Sequence, residues 1–404
     1  MDQGMALNAT LVLPNRICYG GMIWRNGILR EIFEDASQII FCGRQALQDT
    51  NVWDMHGDLL IPGLIDTHVH GAGGSDIMDG TKGTLQNLAI ALLKEGTTAF
   101  LPTTMSCSPE QLKRVLKNAV NFHQDHFQGA EMLGLHLEGP FLAAEFRGAH
   151  AMEMIWERDG DGAKDGSAQF IENILREFPN LVKILTFAPE RPDGQELTNI
   201  CLSHGVVPSA GHTAADYVQM EKAVQWGVRH ITHTFNAMPT IHHRNPGLLT
   251  KALLDETVTM EIIADGVHIH PAIIELVLRN KPLERVCLVS DSTRAMGMPD
   301  GEYELGGQKT NVRQGIVQLP DGTIAGSAYP LRQGIKMLVQ KLLCPLPEAV
   351  RYATFNPAKL LGIDHRVGSL ELNKEATFIR LSSEFDIKQV WLHGRLVFET
   401  KGIT

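Results

Sequence analysis

The chain has 404 residues, 44% of them hydrophobic and 20% charged, an ordinary globular composition with enough apolar material for a sizeable core. A formal net charge of −10 without any Lys/Arg cluster argues against nucleic-acid partners and against docking on anionic membranes. Six cysteines, widely separated and without a Cys-x-x-Cys pair, exclude a disulfide framework and a thiolate metal site, and suit a reducing compartment.

In chain order, Met1 to Pro14 lack a basic segment followed by a long apolar one, and no apolar run reaches the ~18–20 residues of a membrane span. The sequence therefore predicts a soluble, cytoplasmic protein. Residues 1–60 read as short alternating strands with turns at Gly27, Gly43 and Gly57. From there, apolar strand-like runs follow one another at Leu60–His68, Thr97–Thr104, Met132–Glu138, Val182–Ala188, Val206–Gly211, His230–Phe235, Val258–Ala264 and Val286–Ser290. Helical periodicity lies between them, as in Thr84–Glu95, Pro109–His126, Ala214–Trp226 and Pro271–Asn280. This alternation predicts an α/β fold, a (β/α)8 TIM-type barrel over residues 61–363. Hairpin signals at Gly306-Gly307 and Asp321-Gly322 mark an excursion after the eighth strand. Residues 364–404 again carry short strands, with turns at Gly368 and Gly394, and are expected to join residues 1–60 in a small β-sandwich domain.

The residues that carry chemistry sit at the C-terminal ends of the expected strands, where barrel enzymes build their sites. His68 and His70 lie two apart at the end of the first run, so a strand presents both imidazoles on one face. Glu138 ends the third run, His212 the fifth and Asp291 the eighth, while His233 is expected within the sixth. A single histidine near a strand end is usually structural. Six residues of ligand type at these positions together point to a metal site. Imidazole and carboxylate without thiolate suit zinc, iron or manganese, and a bound metal lowers the pKa of water towards ~7. Asp291 is the natural general base, able to take a proton from water and return it to a leaving nitrogen. His136 shares a face with Glu138 and either lines the site or hydrogen-bonds to it from behind.

Pro62-Gly63-Leu64-Ile65-Asp66-Thr67-His68-Val69-His70-Gly71, His136-Leu137-Glu138-Gly139-Pro140-Phe141, Gly211-His212-Thr213, Thr232-His233-Thr234-Phe235-Asn236-Ala237-Met238, His242-His243-Arg244, Asp265-Gly266-Val267-His268 and Ser290-Asp291-Ser292 occur in this order. With them nearly the whole chain resembles the amidohydrolase superfamily, and within it the deacetylases of N-acetylated sugar phosphates. The resemblance implies that Glu138, His212 and His233 hold one divalent metal and that His68, His70 and Asp291 can hold a second, with Glu138 bridging. One or two ions per subunit follow, zinc first, with iron or manganese as alternatives. Asp291 is implied as catalytic acid/base and His150 as donor to the acetamide carbonyl. Asn236, Ala237, Arg244, Asp265 and His268 are implied around the sugar phosphate, with Ala149, His150, Ile324, Ala325 and Gly326 closing round the sugar. The implied reaction is hydrolysis of the acetamide of N-acetylglucosamine 6-phosphate to glucosamine 6-phosphate and acetate, in amino-sugar catabolism. The galactosamine epimer is the nearest alternative, and a deaminase or cyclic-amide hydrolase a more distant one. A homodimer is also implied, in which Arg244 reaches a neighbour's pocket.

The chain departs from the family pattern at Arg147, where lysine is usual, at Asn245, where an acidic residue is common, and at Ala328-Tyr329-Pro330 after Gly326-Ser327. These border the expected sugar site and bear on which sugar fits. Lys374-Glu375-Ala376-Thr377 differs from the usual acidic motif in the terminal β region, away from the chemistry.

Overall fold

The computed structural model describes residues 2–34, 51–124, 129–156 and 168–400. Eight parallel strands form a barrel: β1 (Leu64–Val69), β2 (Thr97–Thr104), β3 (Leu135–Glu138), β4 (Val182–Phe187), β5 (Val207–Ala210), β6 (His230–Ile231), β7 (Thr259–Ile263) and β8 (Val286–Val289). Each pairs with the next. Closure comes just past the strand ends, where the Asp291 N–H donates to His68 O (3.0 Å) and the His70 N–H to Ser292 O (2.9 Å). Every residue of β1 and β2 is buried, as expected of parallel strands covered on both faces.

The covering helices are α1 (Lys82–Lys94), α2 (Pro109–Gln124), α3 (Ala168–Glu177), α4 (Gly194–Ser203), α5 (Tyr217–Trp226), α6 (Gly247–Leu254), α7 (Pro271–Asn280) and α8 (Leu331–Leu342). Helix α2 shows why they form. Leu112, Val115, Leu116, Ala119 and Phe122 recur every three or four residues and are buried. Ser108 Oγ accepts the Gln111 N–H (3.2 Å) at its start, and Pro109 opens it without wasting a donor. Its expected end, His126, lies outside the described residues, as does Cys42; the five described cysteines are free.

Three strand expectations change, the smallest at Met132–Glu138, where Glu131–Met132 and Leu135–Glu138 are separate strands. The run Leu60–His68 divides at Gly63: Leu59–Pro62 pairs antiparallel with Phe378–Leu381 and parallel with Gly4–Val12, and only from Leu64 does the chain enter the barrel. A Cβ on Gly63 would lie 2.1 Å from Thr98 Oγ1, so this crossing requires glycine. The run His230–Phe235 forms a strand only over His230–Ile231, because Glu261 on β7 draws the chain off: its backbone carbonyl accepts the Thr234 N–H (2.9 Å) and its side chain the His233 N–H (3.0 Å).

Strands from both ends of the chain share one eight-stranded sheet, in the order Arg395–Glu399, Ile387–Leu392, Phe378–Leu381, Leu59–Pro62, Gly4–Val12, Ile17–Arg25, Ile28–Phe33, with Asn51–Asp54 also beside Gly4–Val12. Its apolar centre stacks Trp24 on Trp53 (5.4 Å) and Phe378 on Trp391 (4.7 Å). After β8 the excursion is a four-stranded antiparallel sheet, Gly301–Leu305, Gln308–Arg313, Ile316–Gln318 and Ile324–Ser327. Gly306 and Gly307, both with positive φ, make its first tight turn. Its last strand returns to the barrel mouth, where the Ser327 N–H donates to Asp291 O (2.7 Å).

Candidate active site

Three strand ends present their functional side chain in the same way. His212, His233 and Asp291 each stand two residues past the last residue of β5, β6 and β8, with φ of 48°, 28° and 49°. Left-handed backbone is costly for non-glycine residues and clusters where function over-determines it. A Cβ on Gly326 would lie 2.8 Å from Asp291 O, so that neighbour must be glycine. His68 and His70 arrive from β1 and Glu138 from β3.

The six groups converge. Glu138 Oε1 lies 2.9 Å from His233 Nε2 and 3.1 Å from His212 Nε2, and those two nitrogens are 3.0 Å apart. Glu138 Oε2 lies 3.3 Å from His70 Nε2, which in turn is 3.2 Å from Asp291 Oδ1 and 3.3 Å from His68 Nε2. Two clusters thus share Glu138: Glu138, His212 and His233 on one side, His68, His70 and Asp291 on the other, all buried.

The outer ring nitrogens fix the tautomers. His70 Nδ1–H donates to Thr103 O (3.0 Å), His212 Nδ1–H to Phe146 O (2.8 Å) and His68 Nδ1–H to Glu261 Oε2 (3.1 Å). Each acceptor can only accept, so Nδ1 keeps its proton and in the neutral ring each Nε2 faces inward with its lone pair. His150 is the opposite case: its Nδ1 accepts the Ser106 N–H (3.0 Å), so a neutral ring carries its proton on Nε2, 3.3 Å from Glu138 Oε2. In their neutral forms, three inward acceptors and one inward donor meet around two carboxylates.

Charge follows geometry. Burial opposes ionisation of Asp291, but the neighbouring His68 and His70 outweigh it and hold the carboxyl well below the usual range. Burial likewise disfavours charge on His70, yet the carboxylates of Asp291 and Glu138 beside it lift it to about 9. Burial takes His150 down to about 4, so it is neutral. Asp291 Oδ1 and His233 Nδ1 are buried with no hydrogen-bond partner among the described residues. Nitrogens and oxygens crowded within 2.9–3.3 Å, one an orphaned carboxylate oxygen, could hold a divalent cation.

Above the clusters opens a cleft of about 420 Å³, within the range for a small-molecule site. His70, Glu138, Ala149, His150, His212, His233, Asn236, Ala237, His268, Asp291, Ile324, Ala325 and Gly326 line it; His68 lies fully buried beneath. Two expected substrate residues do not. Asp265 instead stands behind His268, accepting its Nδ1–H at 2.7 Å. Arg244 is exposed on the loop after β6, its guanidinium 3.0 Å from His243 Nε2. Arg147 is the cation that does line the cleft, and Gln308 of the excursion lines it too while donating to Ala149 O. Glu261 is a functional residue that the sequence reading does not single out; its only signal is a lone acidic residue inside an apolar strand, Thr259–Ile263. His136 lies behind the site, bonded to Thr186 Oγ1 (2.7 Å) and Thr67 O (3.0 Å).

Residues 59–397 match the model of the amidohydrolase family. The chain is 36% identical to an N-acetylglucosamine-6-phosphate deacetylase of Vibrio furnissii, over 84% of this chain and 83% of that protein. It is 32% identical to an N-acetylgalactosamine-6-phosphate deacetylase of Escherichia coli O157:H7, over 86% and 89%. Among solved structures, a mutant N-acetyl-D-glucosamine-6-phosphate deacetylase from Mycobacterium smegmatis in complex with N-acetyl-D-glucosamine-6-phosphate superposes with a TM-score of 0.86 at 28% identity, covering 98% of this chain and 99% of that one.

Proposed function

The chain belongs to the amidohydrolase family, and from that premise we propose that it hydrolyses the acetamide of N-acetylglucosamine 6-phosphate to acetate and glucosamine 6-phosphate. The observation that carries this reading is the set of locked tautomers: three imidazoles with Nε2 free to bind a cation, beside a fourth whose Nε2–H can donate. Glu138, His212 and His233 would hold one divalent ion, zinc first, and His68, His70 and Asp291 a second. Such an ion supplies Lewis acidity and brings the pKa of water towards ~7.

The protein's own groups account for the rest. His150 Nε2–H donates to the acetamide oxygen and stabilises the charge that develops there. Asp291, ionised, takes a proton from the attacking water and returns it to the amine nitrogen as the C–N bond breaks. The left-handed backbone at Asp291, pinned by Gly326, aims this carboxylate into the cleft. Asn236, Ala237 and His268, the last held by Asp265, orient the sugar phosphate.

The barrel, which the chain enters at Leu64 and not at residue 61, carries this chemistry, and the sheet of strands from both ends of the chain forms the small β domain beside it. The enzyme is cytoplasmic and a homodimer in which Arg244 of the partner subunit reaches the phosphate. Its exposure, outside its own cleft, supports that reading. Arg244→Ala is expected to raise KM for the 6-phosphate at least tenfold while leaving the slow turnover of the phosphate-free sugar unchanged; equal effects on both sugars would contradict the assignment. The Escherichia coli relative motivates a second reading, the galactosamine epimer, and kcat/KM measured on both 6-phosphates decides between them.

A further inference from the structure

We propose that Glu261 is a positioning residue that fixes the His68 ring as a metal ligand and ties the two clusters to one another. The inference rests on the metal-dependent reading above. Glu261 lies inside the barrel on β7, fully buried. A single oxygen, Oε2, accepts both the His68 Nδ1–H (3.1 Å) and the His233 backbone N–H (3.0 Å). One bond sets a ring of the His68, His70 and Asp291 cluster; the other sets the left-handed turn that delivers His233 to the Glu138 and His212 cluster. A carboxylate behind a histidine ligand orients the ring and raises its basicity, and removing such a partner typically costs 10- to 100-fold in metal affinity.

A polar layer lies below Glu261, whose other oxygen faces His230 Nε2 at 3.6 Å. His230 Nδ1 is 2.9 Å from Ser209 Oγ, and the hydroxyls of Ser209, Thr232 and Thr186 then follow at 2.6 Å spacings. The chain ends on His136 Nε2, 2.7 Å from Thr186 Oγ1. All these groups are fully buried, so the layer beneath the clusters is a polar one that packs against Glu261, although Glu261 Oε1 and His230 Nε2 make no hydrogen bond among the described residues.

Glu261→Gln tests the role. The amide oxygen can keep both donors and the amide nitrogen faces His230 Nε2, so the shape survives while the charge is lost. Metal-free wild type and E261Q are compared by thermal melting, then dialysed against a zinc series and their bound zinc counted. Wild type is expected to take up two ions per chain. E261Q is expected to keep one and to bind the other 10- to 100-fold more weakly. Equal uptake by both proteins overturns the proposal, and so does a wild type that never takes up a second ion. The deacetylase reading is judged separately, by acetate release, and survives either result. If E261Q fails to fold, nitrogen-15 spectra of zinc-loaded wild type serve instead: His68 is expected to keep its proton on Nδ1, and a bare Nδ1 overturns the proposal.

Discussion

Asp291 combines two properties that ordinarily conflict, burial and a stable negative charge. Its carboxyl is held low by the His68 and His70 rings, and one oxygen is left without a hydrogen bond. A carboxylate in that state is ionised and can accept a proton, the role proposed for it. Asp291→Asn keeps the shape and removes the base, so kcat for acetate release is expected to fall by about 10²- to 10⁴-fold with an unchanged melting temperature. An Asn variant as active as wild type would remove Asp291 from the reaction. His70 gives a pH dependence whose sign can be worked out. Its ring is lifted to about 9 in the metal-free site, and a proton on Nε2 must leave before that nitrogen can bind a cation. Zinc affinity is therefore expected to weaken as pH falls below 9, by up to about tenfold per unit for each proton displaced. Calorimetric titration at pH 6.5 and 8.5 checks this, and equal affinity at both would contradict it.

Among elements, the excursion after β8 does more than decorate the barrel. Its strand Ile324–Ser327 pins Asp291 from one side, and Gln308 reaches across to the carbonyl of Ala149, next to His150. Gln308→Ala removes one neutral hydrogen bond, about 0.5–1.5 kcal/mol, so kcat/KM is expected to drop roughly 2- to 12-fold through looser placement of His150. Steady-state kinetics with a melting control reads this; an unchanged kcat/KM would make the latch irrelevant. Much of this layer was legible in the sequence because parallel strands buried on both faces are written as near-continuous apolar runs, and because Gly306-Gly307 can make a tight turn. The break at Gly63 was not legible. Leu60-Ile61-Pro62 and Leu64-Ile65 are chemically alike, and which sheet each joins depends on pairing with distant Phe378–Leu381. His233 read as strand for the same reason: its turn is imposed by Glu261, outside any local window.

At the scale of the whole molecule, the clusters could be read from sequence because histidines and carboxylates are conspicuous at the ends of apolar strands, and the structure brings all six together. What lay outside reach was what surrounds them. The acceptors that lock the rings include backbone carbonyls of Thr103 and Phe146, which no residue type announces, and Glu261 is 193 residues from the histidine it holds. Arg244 shows the converse, a motif residue whose placement depends on where a loop leaves the barrel. The central claim is a barrel whose shared carboxylate, locked imidazoles and buried acid/base cut the amide of a phosphorylated amino sugar. Acetate release from N-acetylglucosamine 6-phosphate, by protein stripped with a chelator and then reloaded with zinc, tests it most directly. Activity is expected to be lost on stripping, restored on reloading, and far lower on the sugar without phosphate; undetectable acetate from fully metal-loaded protein would contradict the account.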